Sequence, residues 1–204
     1  MSTPYLESGR ARQKQRTRDA LVEAARRLIE DGDIPRVEDV AEASGISRTT
    51  AYRYFPTQAM LLAAAFPETT RTSLLSDPAP AAVEDRVGVV LDAFIDIIER
   101  TEVQQRAMLR LSLGEQPHEL PLRQGRAIGW MTEALEPLLP SLGVDGVRRL
   151  AVALRSVSGI ETRVWLADVA GLDVGEIREL QTWMVQALVA TAAAGMPANS
   201  AEPS

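Results

Sequence analysis

Val37-Glu38-Asp39-Val40-Ala41-Glu42-Ala43-Ser44-Gly45-Ile46-Ser47-Arg48-Thr49-Thr50-Ala51-Tyr52-Arg53-Tyr54-Phe55 reads as two short helices joined by a tight turn. Val40 is apolar and faces a core. Ala41 is small, as a residue must be where two helices cross closely. Gly45 follows four residues later, where the chain needs positive φ to leave the first helix. Ile46 plugs the space between the helices. Ser47 can cap the second helix, its hydroxyl accepting from a free backbone N–H. These are the local requirements of a helix-turn-helix, whose second helix enters the major groove of DNA.

The second helix has the chemistry for that task. Arg48 and Thr49 open it, at the end that meets base edges, and Arg53 lies one turn on; arginine can pair bidentately with guanine. Tyr52, Tyr54, Ser47 and Thr50 can bond phosphates. Ala51 and Phe55 are expected to turn inward. A plain helical hairpin with a solvated polar face is the competing reading, as is a helical interaction module whose helix-turn-helix contacts protein. The basic run before the first helix favours DNA.

That run is Arg10, Arg12, Lys14, Arg16 and Arg18, with no acid among them. Net charge is −6, which read alone argues against DNA. Its distribution reverses the argument. Residues 1–60 hold ten Arg and Lys against nine Asp and Glu, whereas residues 61–204 hold twelve against nineteen. A basic face on an acidic protein is an electrostatic footprint for nucleic acid.

The rest of the chain reads as all-α, with about nine helices and no sheet. Helices are expected over 17–31 (stopped by Gly32), 37–44, 47–55 (ended by Pro56), 58–66, 83–100, 102–113, 122–139 (closed by Pro140), 144–169 and 173–194. A loop is expected around Asp77-Pro78-Ala79-Pro80, a break from Gly114 to Pro121 and a disordered tail from Gly195. The domain expectation is 1–58 for DNA binding with a basic N-terminal arm, 59–195 for ligand binding and dimerisation, and 196–204 for the tail.

Other function classes find little support. The chain has no cysteine, which excludes disulfides, thiolate zinc sites and cysteine nucleophiles and fits a reducing, cytoplasmic setting. The single histidine, His118, sits in a Pro-bounded loop, and no Gly-rich phosphate loop is present. No enzyme activity, metal or cofactor is expected. Met1 to Arg18 lacks the apolar core of a secretory signal. The longest clean apolar run, Leu61 to Phe66, falls far short of the ~20 residues a membrane span needs.

The sequence resembles the TetR family of bacterial regulators. The matching residues are Ala24-Ala25-x-x-Leu28-Ile29 with Gly32, Val40-Ala41 with Ser44-Gly45-Ile46-Ser47, and Ala51-Tyr52-Arg53-Tyr54-Phe55 with Leu61; they span about residues 14–66, roughly a quarter of the chain. The resemblance implies an all-helical homodimer with its N-terminal helices on a palindromic operator. It also implies a variable C-terminal domain that binds a small apolar or amphipathic effector, and a dimer bundle made by the last two long helices. Two departures stand out. Pro35-Arg36 replaces the paired threonines that open the second helix in many members, so capping is expected from Asp33 and a phosphate contact from Arg36. Gln58 replaces a lysine, leaving its backbone N–H to face a phosphate.

Phe94, Met108, Leu111, Trp130, Met131 and Trp165 are large apolar residues on the middle helices and are the expected effector lining, with Met and Trp suiting an adaptable apolar pocket. Gln104, Arg126, Thr132 and Arg163 are polar companions that the sequence does not rank. On the last helix Ile177, Leu180, Trp183, Met184 and Leu188 make a stripe wider than packing on one body requires, and they are the expected dimer contacts.

Overall fold

The computed structural model describes residues 4–66, 71–113 and 126–194, with side chains from Ala11 onward apart from that of Ala193. The break expected from Gly114, its His118, and the tail from Gly195 lie outside the described residues. Ten α-helices are described: α1 Pro4–Glu30, α2 Val37–Ser44, α3 Arg48–Tyr54, α4 Gln58–Ala65, α5 Val83–Arg100, α6 Glu102–Ser112, α7 Arg126–Ala134, α8 Leu139–Ser158, α9 Ile160–Asp168 and α10 Val174–Ala194. Among the described residues there is no strand, as the periodicity predicts. No helix among them is long and apolar enough to cross a membrane.

The chain divides into two compact units, residues 1–70 with 103–123, and residues 71–102 with 124–204. In the first, α1 to α4 share one core. Leu21, Ala24 and Ala25 of α1 meet Val37, Val40 and Ala41 of α2, Ala51 of α3, Phe55, and Leu61 and Ala65 of α4. The alanines matter because they let helix axes approach closely. A second cluster joins Leu62 and Ala63 of α4 to Ala107 and Met108 of α6. There the buried Gln104 amide donates to the Leu62 carbonyl at 2.8 Å, satisfying an oxygen near the open end of α4.

In the second unit the buried residues of α5 (Val87, Val90, Leu91, Phe94, Ile95, Ile97 and Ile98) repeat at helical spacing. α8 buries Val147, Leu150, Ala151 and Leu154, and α10 buries Ile177, Gln181, Val185, Val189 and Ala192. Several polar groups of this core are hydrogen-bonded within it. Gln181 donates to the Val157 carbonyl and Ser158 to that of Leu154. Arg163, 2% exposed, lies between Glu102 (2.8 Å) and Glu99 (3.6 Å). Arg178 engages Asp96 and Glu99 as well, so these carboxylates tie α9 and α10 to the end of α5, and the arginine is held protonated well beyond its usual range.

Three element boundaries differ from expectation. α1 starts at Pro4 rather than at residue 17, so Arg10 to Arg16 are part of the helix rather than an arm preceding it. The helix expected over 144–169 is two helices, because Gly159 sits in extended backbone (φ −80°, ψ 174°) and serves as the N-cap of α9. The Arg155–Glu161 ion pair crosses directly over that break. Pro140 does not end the preceding segment either. A 3-10 turn, Glu136–Leu138, leads into α8, which is interrupted at Gly143 (φ 66°, ψ 176°), so regular helix begins at Val144 as read from the sequence.

Candidate nucleic-acid interface

The turn forms as its residues require. Gly45 adopts φ 67° and ψ 20°, and its N–H closes back on α2. Ile46 donates to the Ala41 carbonyl at 2.9 Å and packs on the shared core. Ser47, in extended backbone, caps α3: its hydroxyl accepts from the Thr50 N–H at 3.3 Å and donates to the Thr50 hydroxyl at 2.9 Å. Ala51 is fully buried and Phe55 nearly so, which turns the opposite face of α3 outward. Arg48, Thr49, Tyr52 and Arg53 are exposed on that face. Tyr54 is half-buried against the core with the Arg53 guanidinium 5.7 Å from its ring centroid, so its ring is a packing element first.

Asp33 does not supply the cap of α2 that the sequence reading assigned to it. α2 is capped from inside. The Asp39 carboxylate accepts the Arg36 N–H at 2.7 Å, one half of a capping box, and no side chain of Asp33 takes part. Arg36 itself is exposed, free to meet a phosphate, with a weak 3.9 Å approach to Glu38. Gln58 spends its side chain on the loop before α2, donating to the Ile34 and Pro35 carbonyls. α4 is instead capped by Thr57, whose hydroxyl accepts from Met60 N–H.

Tyr52 donates its hydroxyl hydrogen to Glu38 at 2.5 Å, joining α3 to the first turn of α2. That bond is the main cause lowering the Glu38 pKa and raising that of Tyr52. A phenol has one hydrogen to give. Tyr52 can therefore donate to a DNA phosphate only by leaving Glu38. The pair is not legible in the sequence, since the two residues are fourteen apart and meet only because the helices cross.

The expected effector lining is divided between the two units. Phe94 and Trp130 meet edge to face with centroids 6.3 Å apart, and Met131 beside Trp130 is fully buried. Met108 and Leu111 belong to the α4–α6 cluster of the first unit. Trp165 is 57% exposed on α9, because Arg163 and Leu166 take the inward positions of that short helix. Of the polar companions, Gln104 and Arg163 are already paired as described, and Thr132 donates to the Ile128 carbonyl within α7. Arg126 is exposed at the start of α7.

On α10 the expected dimer stripe splits. Ile177 faces the core of its own unit, 1% exposed. Leu180, Met184 and Leu188 are half-buried and Trp183 is 64% exposed, so these four form the outer apolar face.

Residues 21–65, from the core of α1 to the end of α4, match the family described as bacterial regulatory proteins, tetR family. The chain is also 38% identical over 64 residues to the HTH-type transcriptional repressor LfrR of Mycolicibacterium smegmatis. That likeness covers 31% of this chain and 32% of the relative, so the match spans about a third of the relative's length. No solved structure gives a significant match. The match falls on the helices whose turn, caps and outward cations are described above. Residues 21–65 are thus an N-terminal domain like that of the tetR family of bacterial regulatory proteins.

Proposed function

We propose that the protein is a cytoplasmic, sequence-specific DNA-binding regulator, a repressor that works as a homodimer and leaves its operator when a small effector binds. The observation that carries this reading is α3. It is capped at Ser47 and anchored through Ala51 and Phe55, and it holds Arg48, Thr49 and Arg53 outward on a rigid support. Base reading falls to Arg48, Thr49 and Arg53. Phosphate contacts fall to Arg36, Ser47, Thr50 and the backbone N–H of Gln58, and to Tyr52 once it leaves Glu38. The DNA-reading domain takes in α4, whose Leu61 and Ala65 complete its core. The repressor sense follows the relative's name.

Dimerisation is assigned to the outer face of α10, through Leu180, Trp183, Met184 and Leu188. A single helix-turn-helix reads few base pairs, so a two-fold dimer on a palindrome is the economical solution. The effector is apolar or amphipathic and is assigned to the apolar interior around Phe94, Trp130 and Met131.

Selection of bound duplexes from a random pool tests the reading. The enriched sequence should be a palindrome with half-sites about one helical turn, ~34 Å, apart or a multiple of that. Arg48→Ala should weaken binding to it by about 1–3 kcal/mol and relax the preference at one position in each half-site. A pool that shows no enrichment would overturn the proposal.

A further inference from the structure

α1 does not stop where its core contacts stop. From residue 11 to residue 20 every side chain is exposed except that of Thr17, which is half-buried with its hydroxyl bonded to the Gln13 carbonyl. Arg18 already lies against Phe55 of the core that Leu21, Ala25 and Leu28 make with α2 to α4, so about two turns of helix, residues 11 to 17, project past it.

The helix register sorts the cations on this projection into two faces. Lys14, Arg18, Leu21, Ala25 and Leu28 follow one another at spacings of three and four, so they form one continuous stripe. Its lower part is apolar core. Its upper part, Lys14 and Arg18, is cationic and exposed. The opposite stripe holds Arg12, Arg16, Asp19 and Glu23, two charges of each sign. Asp19 already accepts a 2.7 Å hydrogen bond from Gln15. The inner stripe also has a known neighbour: the Arg18 guanidinium lies 5.6 Å from the centroid of Phe55, the residue that ends α3. The face that carries Lys14 and Arg18 is thus the face that looks toward the recognition helix.

We infer that the projecting part of α1 is a rigid helical arm that lays Lys14 and Arg18 along the sugar-phosphate backbone beside the groove that α3 enters. The inference rests on the reading of α3 as the DNA-binding helix. Charge identifies the occupant, because from residue 11 to residue 20 the charges of the inner stripe, Lys14 and Arg18, are both cationic and match a line of phosphates, whereas the mixed outer stripe does not. Such contacts fix register and add affinity without reading sequence. A flexible arm would behave differently, since all its cations could reach DNA alike.

Salt titration of the full chain on a short duplex of arbitrary sequence separates the two. Lys14→Ala with Arg18→Ala should shallow the slope of log affinity against log salt by roughly 1.8, about 0.9 for each lost phosphate contact. Arg12→Ala with Arg16→Ala should leave the slope nearly unchanged. Alanine is the strongest helix former, so both variants keep α1 helical, which circular dichroism would verify. Equal changes in the two double variants, or no change in either, would overturn the inference. So would a change of oligomeric mass without a change of slope, which would make the stripe a contact between copies. Arg48→Ala is the control: if it abolishes sequence preference while the two pairs remain indistinguishable, the arm alone fails and the reading of α3 stands.

Discussion

Glu38 and Tyr52 illustrate what a residue gains from its fold. The hydroxyl of Tyr52 is the chief cause holding the Glu38 carboxyl below its ordinary value. A carboxylate with a lowered folded-state pKa adds stability that is present above its unfolded pKa and is lost as pH falls through the folded one. Tyr52→Phe removes the hydroxyl, so the Glu38 midpoint followed by NMR should rise toward the usual carboxylate range, and the part of the acid-side loss of stability that Glu38 causes should shrink. An unmoved midpoint would assign the shift to other neighbours. Glycine gives a second prediction at this scale. Gly45 lies in the left-handed helical basin, and a Cβ there meets nothing within 4 Å. Gly45→Ala should cost about 1–2 kcal/mol of backbone strain alone. Gly143 has equally open space but pairs its positive φ with ψ 176°, a region essentially closed to other residues. Gly143→Ala should therefore cost more than Gly45→Ala in urea denaturation. The caps at Gly45 and Ser47 were legible in the sequence because each is satisfied within four residues. The Asp39 cap and the Tyr52–Glu38 bond were not: the first competed with an equally plausible Asp33, and the second depends on a helix crossing.

Among the elements, α10 carries two apolar faces, and they differ in burial. Ile177, Val185 and Val189 are buried within the second unit, while Leu180, Met184 and Leu188 are half-buried and Trp183 is open. Periodicity shows that such a helix is apolar over a wide arc. It does not say which edge of the arc faces inward, which is why Ile177 was grouped with the outer residues. Leu180→Glu with Met184→Glu should leave a folded chain of halved mass in light scattering that no longer holds the palindrome. Val185→Glu buries an unpaired charge and should instead destabilise the fold itself by roughly 3–5 kcal/mol. A double variant that stays dimeric would move the interface away from α10. The Gly159 break escaped the sequence reading for a related reason. Apolar residues keep helical spacing on both sides of it, and an extended N-cap leaves that pattern intact.

For the molecule as a whole, the proposed effector and DNA must oppose each other reciprocally. A ligand that weakens DNA binding by some factor must bind the DNA-bound form more weakly by the same factor, typically worth about 1–3 kcal/mol. Of the three tryptophans, Trp130 is buried whereas Trp165 and Trp183 are exposed. A chain with Trp165→Phe and Trp183→Phe should therefore report effector binding through Trp130 alone. Its effector titration should shift to higher concentration when operator is present. Identical titrations with and without operator would sever the coupling. The all-helical class was legible from periodicity throughout. The grouping of α6 with α1–α4 was not, because α5 intervenes in the chain and nothing local marks α6 as belonging to the earlier helices.

That interleaving bears on synthesis. Leu62 and Ala63 of α4 find their apolar cover in Ala107 and Met108, and the Leu62 carbonyl finds its donor in Gln104. All three arrive only after α5 has been made. A nascent chain halted before α6 emerges presents a sticky, uncovered α4. Exposed apolar surface of that kind is what makes incomplete chains prone to aggregation and a target for chaperones.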